Sequence, residues 1–228
     1  MNAIIMAAGT SSRFAPLSYE KPKGLLEVKG EILIERQIRQ LHEAGITDIT
    51  VVVGYKSSQF HYLVEKYGVR IEAYGTVDEL NSVVGMLSAA VKERYEDWYR
   101  LLTVVQNKLF NMGCYLATDN PNNDETEPYG LCEADVEKLE QAIDAIQEKL
   151  PQVNNFVLPG GSMEASIADL CRTTTRRAER RVVELADESY VNPIVVRYLN
   201  RLSDFFFVFA RFNNIERKIG ENLWNKEC

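Results

Sequence analysis

The chain has 228 residues, of which 46% are hydrophobic and 26% charged, and its formal net charge is -7. This length allows one large domain or two small ones, and the composition is that of an ordinary globular protein. The acidic balance argues against a general nucleic-acid binder, which needs a basic face, and the lack of an apolar run of about 18 residues argues against a membrane span.

The first part of the chain, residues 1–71, has the pattern of an α/β segment. Residues 3–6 are an apolar run that ends in a glycine turn, which predicts a strand. Residues 31–44 place apolar side chains on one helical face and stop at Gly45, and residues 49–53 are β-branched as in a buried parallel strand. A second helix at 57–66 and a third strand at 69–71 would complete a partial, Rossmann-like βαβ unit.

The second part, residues 72–228, is predicted to be almost entirely helical. The expected helices span residues 76–94, 97–118, 133–150, 163–187 and 193–222, and the polar stretch 119–131 is an expected loop. Their predicted starts are a capping box of Thr76 and Glu79, an N-cap at Ser162, and Asn192 followed by a proline. Five long helices with short connections predict a helical bundle, so the fold is expected to be mainly α.

Cysteine and histidine usage limits the chemistry. The four cysteines stand far apart without a CxxC pair, which predicts reduced thiols in a cytoplasmic protein instead of a zinc site or a disulfide framework. The two histidines are His42 and His61. Any chemistry in the helical part therefore has to proceed without imidazole as base, acid or metal ligand.

The fourth predicted helix carries the densest group of charges. Arg172, Arg176, Glu179 and Arg180 are spaced four, three and one apart and therefore share a helical face, which suits a polyphosphate. Leu170, Ala178, Val182 and Leu185 are expected to pack on the opposite face. A solvated, salt-bridged helix surface is the alternative interpretation, and it would be preferred for such a run of arginines alone.

Four motifs in order give this run a context. They are AYGTVDELNS at 73–82, FVLPGGS at 156–162, RTTTRRAERRVV at 172–183 and NPIVVRYLNRLSDFFFVFAR at 192–211. Together, over about residues 70–215, they resemble the PduO-type ATP:corrinoid adenosyltransferases. The resemblance implies a five-helix bundle, a homotrimer with active sites between subunits, and transfer of the adenosyl group of ATP to Co(I) cobalamin with release of triphosphate.

The resemblance also implies roles for the charged residues. Asp78 is similar to an acidic partner that forms a salt bridge with Arg172, although it would also suit the first turn of a helix by its charge. Arg176 is similar to an arginine that binds triphosphate, and Arg180 would support the same cluster. Glu179 is similar to a residue that orders ATP and its Mg²⁺.

Two further residues take roles from the same motifs. Asn200 is similar to a nucleotide contact, and the alternative is a capping or interhelical polar residue. Phe156 is similar to an aromatic side chain that presses on the lower face of the corrin, where it would exclude water and a lower cobalt ligand. An ordinary core phenylalanine before a Pro-Gly-Gly turn is the alternative.

The N-terminal part departs from that family. AIIMAAGTSSRFAPLSYEKPKGLLEVKG and AGITDITVVVGY resemble the front of a sugar-phosphate or phosphocholine nucleotidyltransferase, in which Gly9, Arg13 and Lys23 would hold phosphates. The glycine- and threonine-rich ATP loop that normally begins an adenosyltransferase is absent. We therefore expect weakened ATP binding, unless residues 9–13 replace that loop. A nucleotidyltransferase and a non-catalytic corrin- or ATP-binding module are the alternative functions.

Overall fold

The computed structural model describes residues 2–10, 12–46, 48–118, 128 and 130–226. These residues form two compact units. The first contains the described residues up to Ile71 together with Ala117 and Thr118, and the second contains Glu72–Leu116 together with residues 128 and 130–226. Within the described residues, no helix combines the length and apolarity needed to cross a membrane.

The first unit is a small βαβ arrangement. Strand β1 (Asn2–Ala7) pairs in parallel with β4 (Asp48–Val53), and α2 (Leu33–Glu43) lies between them in sequence. The unit also contains the short helix α1 (Leu17–Glu20) and the hairpin of β2 (Glu27–Val28) and β3 (Glu31–Ile32). Its core is a small cluster of buried apolar side chains: Ile5, Leu25, Ile34, Ile38, Phe60 and Leu63.

The predicted third strand at 69–71 is wrong. Helix α3 runs without interruption over His61–Val91, and the predicted helix at 57–66 is only its beginning. Inside α3, the Thr76 hydroxyl donates a 2.6 Å hydrogen bond to the carbonyl of Glu72, so Thr76 is an interior residue and the predicted capping box with Glu79 is also wrong. Within a helix, the backbone N–H and C=O groups of residues 69–71 form hydrogen bonds to neighbouring turns, whereas in a strand they would need a second strand beside them.

The second unit is the predicted five-helix arrangement. It contains the part of α3 from Glu72 onward, α4 (Glu96–Ala117), α5 (Glu133–Gln147), α6 (Met163–Glu188) and α7 (Pro193–Glu216). Its core residues are almost completely inaccessible, and among the largest are Leu80, Leu87, Leu102, Met112, Tyr198, Phe205, Phe206 and Phe209. The mainly α fold and the predicted positions of α4, α5 and α6 are confirmed, whereas the predicted loop at 119–131 lies mostly outside the described residues.

The boundaries of α6 and α7 show which helix starts and stops could be predicted from the sequence. Ser162 accepts a hydrogen bond from the Ala165 amide, and Asn192 accepts one from the Ile194 amide, so both predicted N-caps are confirmed. The predicted extension of the last helix to 222 is wrong. It ends at Glu216 because Lys218, with φ at +57°, closes a Schellman motif in a left-handed conformation that the sequence did not mark with glycine.

Candidate functional site

A polar anchor fixes the beginning of α6. Asn214 of α7 accepts a 2.8 Å hydrogen bond from the Ser162 amide through Oδ1, and its Nδ2 donates one of 2.8 Å to the Gly160 carbonyl. Gly161 lies between them with φ at +105°, and a Cβ atom there would stand 2.2 Å from Asn214 Oδ1. Glycine is therefore required at 161 for sterics as well as for backbone conformation.

A buried ion pair fixes the first turn of α6. The Glu164 carboxylate is nearly inaccessible and accepts a hydrogen bond from the Arg217 guanidinium. Burial acts to raise the pKa of Glu164, but the backbone amide hydrogen bond and the Arg217 charge outweigh it, so the pKa lies below the usual glutamate value. Glu164 therefore remains ionised at neutral pH and holds the end of α7 against α6.

Arg172 has an acidic partner that sequence reasoning missed. Its Nε lies 3.3 Å from Asp169 Oδ1, and Asp169 Oδ2 accepts a 3.2 Å hydrogen bond from the Gly160 amide. The predicted salt bridge between Asp78 and Arg172 is not present among the described residues of this chain, and Asp78 is exposed on α3. The spacing of Asp169 and Arg172, three residues apart on one helix, was the available signal.

Glu179 and Asn200 join α6 to α7. Asn200 Nδ2 donates a 3.0 Å hydrogen bond to Glu179 Oε1, and Asn200 Oδ1 accepts one of 3.3 Å from Arg201. Asn200 is thus an interhelical polar residue, as the alternative interpretation held, and a nucleotide contact remains a prediction. The contact orients one carboxylate oxygen of Glu179.

The remaining arginines lie on two sides of the buried stripe of α6. On the side toward α3, Arg177 pairs with Glu79, and Arg181 lies 3.9 Å from Glu72 and 2.8 Å from Glu184. These pairs match the salt-bridged surface that was the alternative interpretation.

On the other side, Arg176 and Arg180 are exposed and form no ion pair within the described residues. Their guanidinium groups can therefore bind an anion without breaking an existing ion pair.

The packing face of α6 is close to the prediction. Ala178, Val182 and Leu185 are buried, but Leu170 is 47% exposed, so its predicted packing is wrong. Leu170 lies toward the side of α6 that carries Arg177 and Arg181, and the buried stripe passes through Cys171 and Thr175 instead.

Phe156 lies on the connection between α5 and α6 and is 77% exposed. Its ring contacts Trp224 edge-on, with ring centroids 6.0 Å apart. The alternative of an ordinary core phenylalanine is therefore wrong. An exposed aromatic ring on this connection has its face available for a flat apolar ligand.

The N-terminal candidates lie in the first unit. Gly9 and Lys23 line a cavity of about 690 Å³ together with Gly24 and Arg36. The Lys23 ammonium lies 5.0 Å from the centroid of the Phe14 ring. The side chain of Arg13 lies outside the described part of the chain.

Comparison with known proteins identifies the helical unit. The sequence profile of the cobalamin adenosyltransferase family matches residues 56–213, which is more than half of the chain. The chain belongs to the cobalamin adenosyltransferase family. A second profile, that of the MobA-like NTP transferase domain, matches residues 3–104.

Individual members of the family are clearly similar to the chain. A corrinoid adenosyltransferase of Bacillus subtilis is 43% identical over 159 residues, which are 69% of this chain and 80% of that protein. The corrinoid adenosyltransferase PduO of Salmonella typhimurium is 38% identical over 148 residues, which are 65% of this chain but only 43% of that longer protein.

A solved structure has the same fold. A variant of the PduO-type ATP:corrinoid adenosyltransferase from Lactobacillus reuteri, complexed with cobalamin and ATP, superposes with a TM-score of 0.64 at 35% sequence identity. The match covers 69% of this chain and 87% of that structure. The five-helix fold of the family is therefore present here.

The acidic residues of the site fit one kind of metal binding. Among the described residues, no group of three or more His, Cys, Asp or Glu side chains could hold a metal ion. Mg²⁺ in nucleotide sites is usually held by one or two carboxylates together with phosphate oxygens and water. The single carboxylate of Glu179 fits that arrangement, because it lies beside Arg176 and Arg180, which form no ion pair within the described part of the chain.

Proposed function

We propose that the protein transfers the 5′-deoxyadenosyl group of ATP to Co(I) cobalamin and releases triphosphate. The observation that carries this function is the side of α6 on which Arg176 and Arg180 lie without ion-pair partners among the described residues, beside the Glu179–Asn200 contact. In the reaction, the electron pair of Co(I) forms the bond to the 5′ carbon of ATP. The bond from that carbon to the triphosphate oxygen breaks, and the oxygen keeps its electron pair.

The charge that develops on the triphosphate determines what the protein has to supply. Fixed guanidinium groups near the leaving group stabilise this charge in the transition state more than in bound ATP. We propose this role for Arg176, with Arg180 supporting it and Arg172 held in place by Asp169. No step requires an imidazole or a side-chain nucleophile, which agrees with the lack of histidine after residue 61.

We propose that Glu179 orders ATP and its Mg²⁺. Asn200 holds one oxygen of the carboxylate, which fixes the direction of the other. When bound, Mg²⁺ would neutralise part of the phosphate charge. Asn200 would contact the nucleotide from the same position.

We propose that Phe156 packs against the lower face of the corrin. Its exposure supports this role, because a ring that is mostly accessible in the protein alone has an apolar face left to bury. A ring in that position excludes water and a lower ligand from the cobalt, which makes Co(II) easier to reduce.

We further propose a homotrimer in which neighbouring subunits complete each site. The support is that Arg176, Arg180 and Phe156 are exposed on a single chain, and that exposed Val183 lies on the same side of α6 as Arg176. A cytoplasmic location is proposed from the thiols: within the described residues, Cys132 and Cys171 form no disulfide. Sedimentation or light scattering at several concentrations tests the trimer.

The N-terminal unit provides a specific reason to keep a second function. The match to an NTP transferase domain and the cavity beside Gly9 and Lys23 favour nucleotide phosphate binding there. We propose that Gly9, Arg13 and Lys23 contact the phosphates in place of the missing ATP loop. Lys23→Ala should then raise KM for ATP, and an unchanged KM would assign the ATP site to the helical unit alone.

The decisive experiment is to mix the protein with Co(I) cobalamin and ATP and to follow both the absorbance of the corrin and the released phosphates. We expect adenosylcobalamin and triphosphate. A bound corrin that never becomes adenosylated would instead identify a non-catalytic binding module. Pyrophosphate release with phosphocholine or a sugar phosphate would identify a nucleotidyltransferase.

A further inference from the structure

The C-terminal segment after the α7 cap, residues 219–226, returns to the connection that carries Phe156. We call this segment the tail. The Leu158 amide donates a 2.8 Å hydrogen bond to the Asn222 carbonyl, and the Trp224 amide donates one of 2.8 Å to the Phe156 carbonyl. These bonds form an antiparallel bridge between Val157 and Leu223. Phe156 therefore has its own carbonyl held by the tail.

One guanidinium joins the tail to the rest of the unit. Arg211 of α7 donates 2.6 Å and 3.2 Å hydrogen bonds to the two carboxylate oxygens of Glu221, and a 2.8 Å bond to the Pro151 carbonyl. The Arg211 and Glu221 side chains are only 12% and 11% exposed. A bidentate pair with so little solvent access is stronger and more directional than an ion pair at the surface.

Apolar packing at this attachment is incomplete. Leu223 and Trp224 are each about half exposed, at 49% and 47%. A cavity of about 440 Å³ lies between residues 151–155 and the side chains of Glu221 and Leu223. The ion pair and the two-bond bridge hold the tail beside this connection, where the Trp224 ring contacts the Phe156 ring edge-on.

We propose that Arg211 and Glu221 are positioning residues for corrin binding, because they hold the tail in the register that presents Phe156. This inference rests on the proposed function of Phe156. Arg211 contacts both the Pro151 end of the connection and the tail, so the loss of its partner frees the two sides of the bridge together. On the proposed ATP-binding side of α6, Arg172 and Glu179 are held by other residues, Asp169 and Asn200.

The test uses two substitutions, Glu221→Gln and Arg211→Lys, in a Trp98→Phe background. The chain has two tryptophans, so Trp224 is then the single tryptophan and can be excited selectively over the tyrosines. We expect the fluorescence of Trp224 to shift to longer wavelength and to become easier to quench by acrylamide. We also expect KM for the corrin to rise about tenfold, with KM for ATP unchanged, because charge-assisted hydrogen bonds are lost only at the tail.

Glu96→Gln is the matched control, since it breaks an exposed pair with Arg100 far along the chain from the tail. It should alter neither the fluorescence nor either KM. Release of the tail with an unchanged corrin KM would overturn the positioning role, and so would Trp224 emission that does not respond to either substitution.

The two proposals can fail separately. A parent protein that adenosylates nothing, while Glu221→Gln still releases Trp224, would refute the proposed function and leave the attachment of the tail confirmed. If Glu221→Gln does not fold, Arg211→Lys carries the test, because lysine keeps the charge but cannot form the bidentate pair.

Discussion

The two exposed sides of α6 carry the same residue type in different electrostatic surroundings. Toward α3, Arg177 and Arg181 have acidic partners, Glu79 and Glu72, on the neighbouring helix. On the other side, Arg176 and Arg180 have no ion-pair partner within the described residues, although each immediately precedes one of the paired arginines in the sequence. The first side is a salt-bridged surface, and the second has positive charge available for a ligand.

This difference shows that the two exposed sides of an arginine-rich helix have to be interpreted separately. Exposed ion pairs contribute little to stability because solvent screens both charges. Arginines without such pairs are useful where a multiply charged anion arrives, because no existing interaction has to be broken first. The triphosphate of ATP is such an anion, and each of the following predictions tests whether the two sides of α6 differ in this way.

The largest effect should come from Arg176→Ala. We expect kcat/KM for adenosylation to fall about a hundredfold, because one fixed donor to the leaving group is lost. The matched variant Arg177→Ala should remain within about twofold of the parent protein, since Arg177 is occupied by Glu79. Steady-state kinetics with Co(I) cobalamin measure both values, and equal losses in the two variants would remove the distinction between the sides.

The next effect concerns the polar anchor of Asn214 at the beginning of α6, the helix that carries both sets of arginines. Gly161→Ala should lower the free energy of unfolding by about 3 kcal/mol, because the new Cβ would meet Asn214 and the positive φ disfavours alanine. Gly113→Ala in α4, where nothing lies within 4 Å of the added Cβ, should be neutral or stabilising. Urea unfolding of both variants measures these free energies. A Gly161→Ala protein as stable as the parent would contradict the requirement for glycine at the anchor.

A smaller loss should follow from Asp169→Asn. Asparagine can still accept from the Gly160 amide, but Arg172 loses its ionic partner, so we expect kcat/KM to fall about tenfold with little change in stability. Glu184→Gln is the control, because Arg181 and Glu184 have the same spacing of three residues on the paired side. Similar activity in both variants would mean that Arg172 takes no part in the site.

The smallest effect is a pH dependence of stability at the start of α6. The pKa of Glu164 is lower in the folded protein than in the unfolded chain. Its ionised form therefore contributes to the free energy of unfolding when the pH is above the unfolded pKa, and this contribution is lost as the pH falls through the folded pKa. Glu164→Gln should therefore be about 1 kcal/mol less stable than the parent at pH 7. That difference should shrink at acidic pH in urea titrations, and a constant difference would contradict the lowered pKa.

The fold was predictable where local signals acted alone. The apolar periodicity of the long helices, the cap at Ser162 and the Asn192–Pro193 start needed only neighbouring residues, and all three are confirmed. The strand at 69–71 failed because its β-branched residues are equally compatible with the interior of α3 when no partner strand is beside them. The end of α7 failed because a lysine occupies the left-handed position that glycine usually marks.

The candidate site was also predictable only where local sequence patterns were sufficient. The sequence by itself determined which residue types lie together on α6, and the motifs connected them with a triphosphate and a corrin. Only the tertiary structure decided that Arg177 and Arg181 pair with residues of α3, that Asp169 accepts a hydrogen bond from the Gly160 amide, and that Arg211 and Glu221 hold the tail against the Phe156 connection. The reason is physical: periodicity records which face of a helix a residue occupies, whereas a partner on another segment is fixed only when the segments pack.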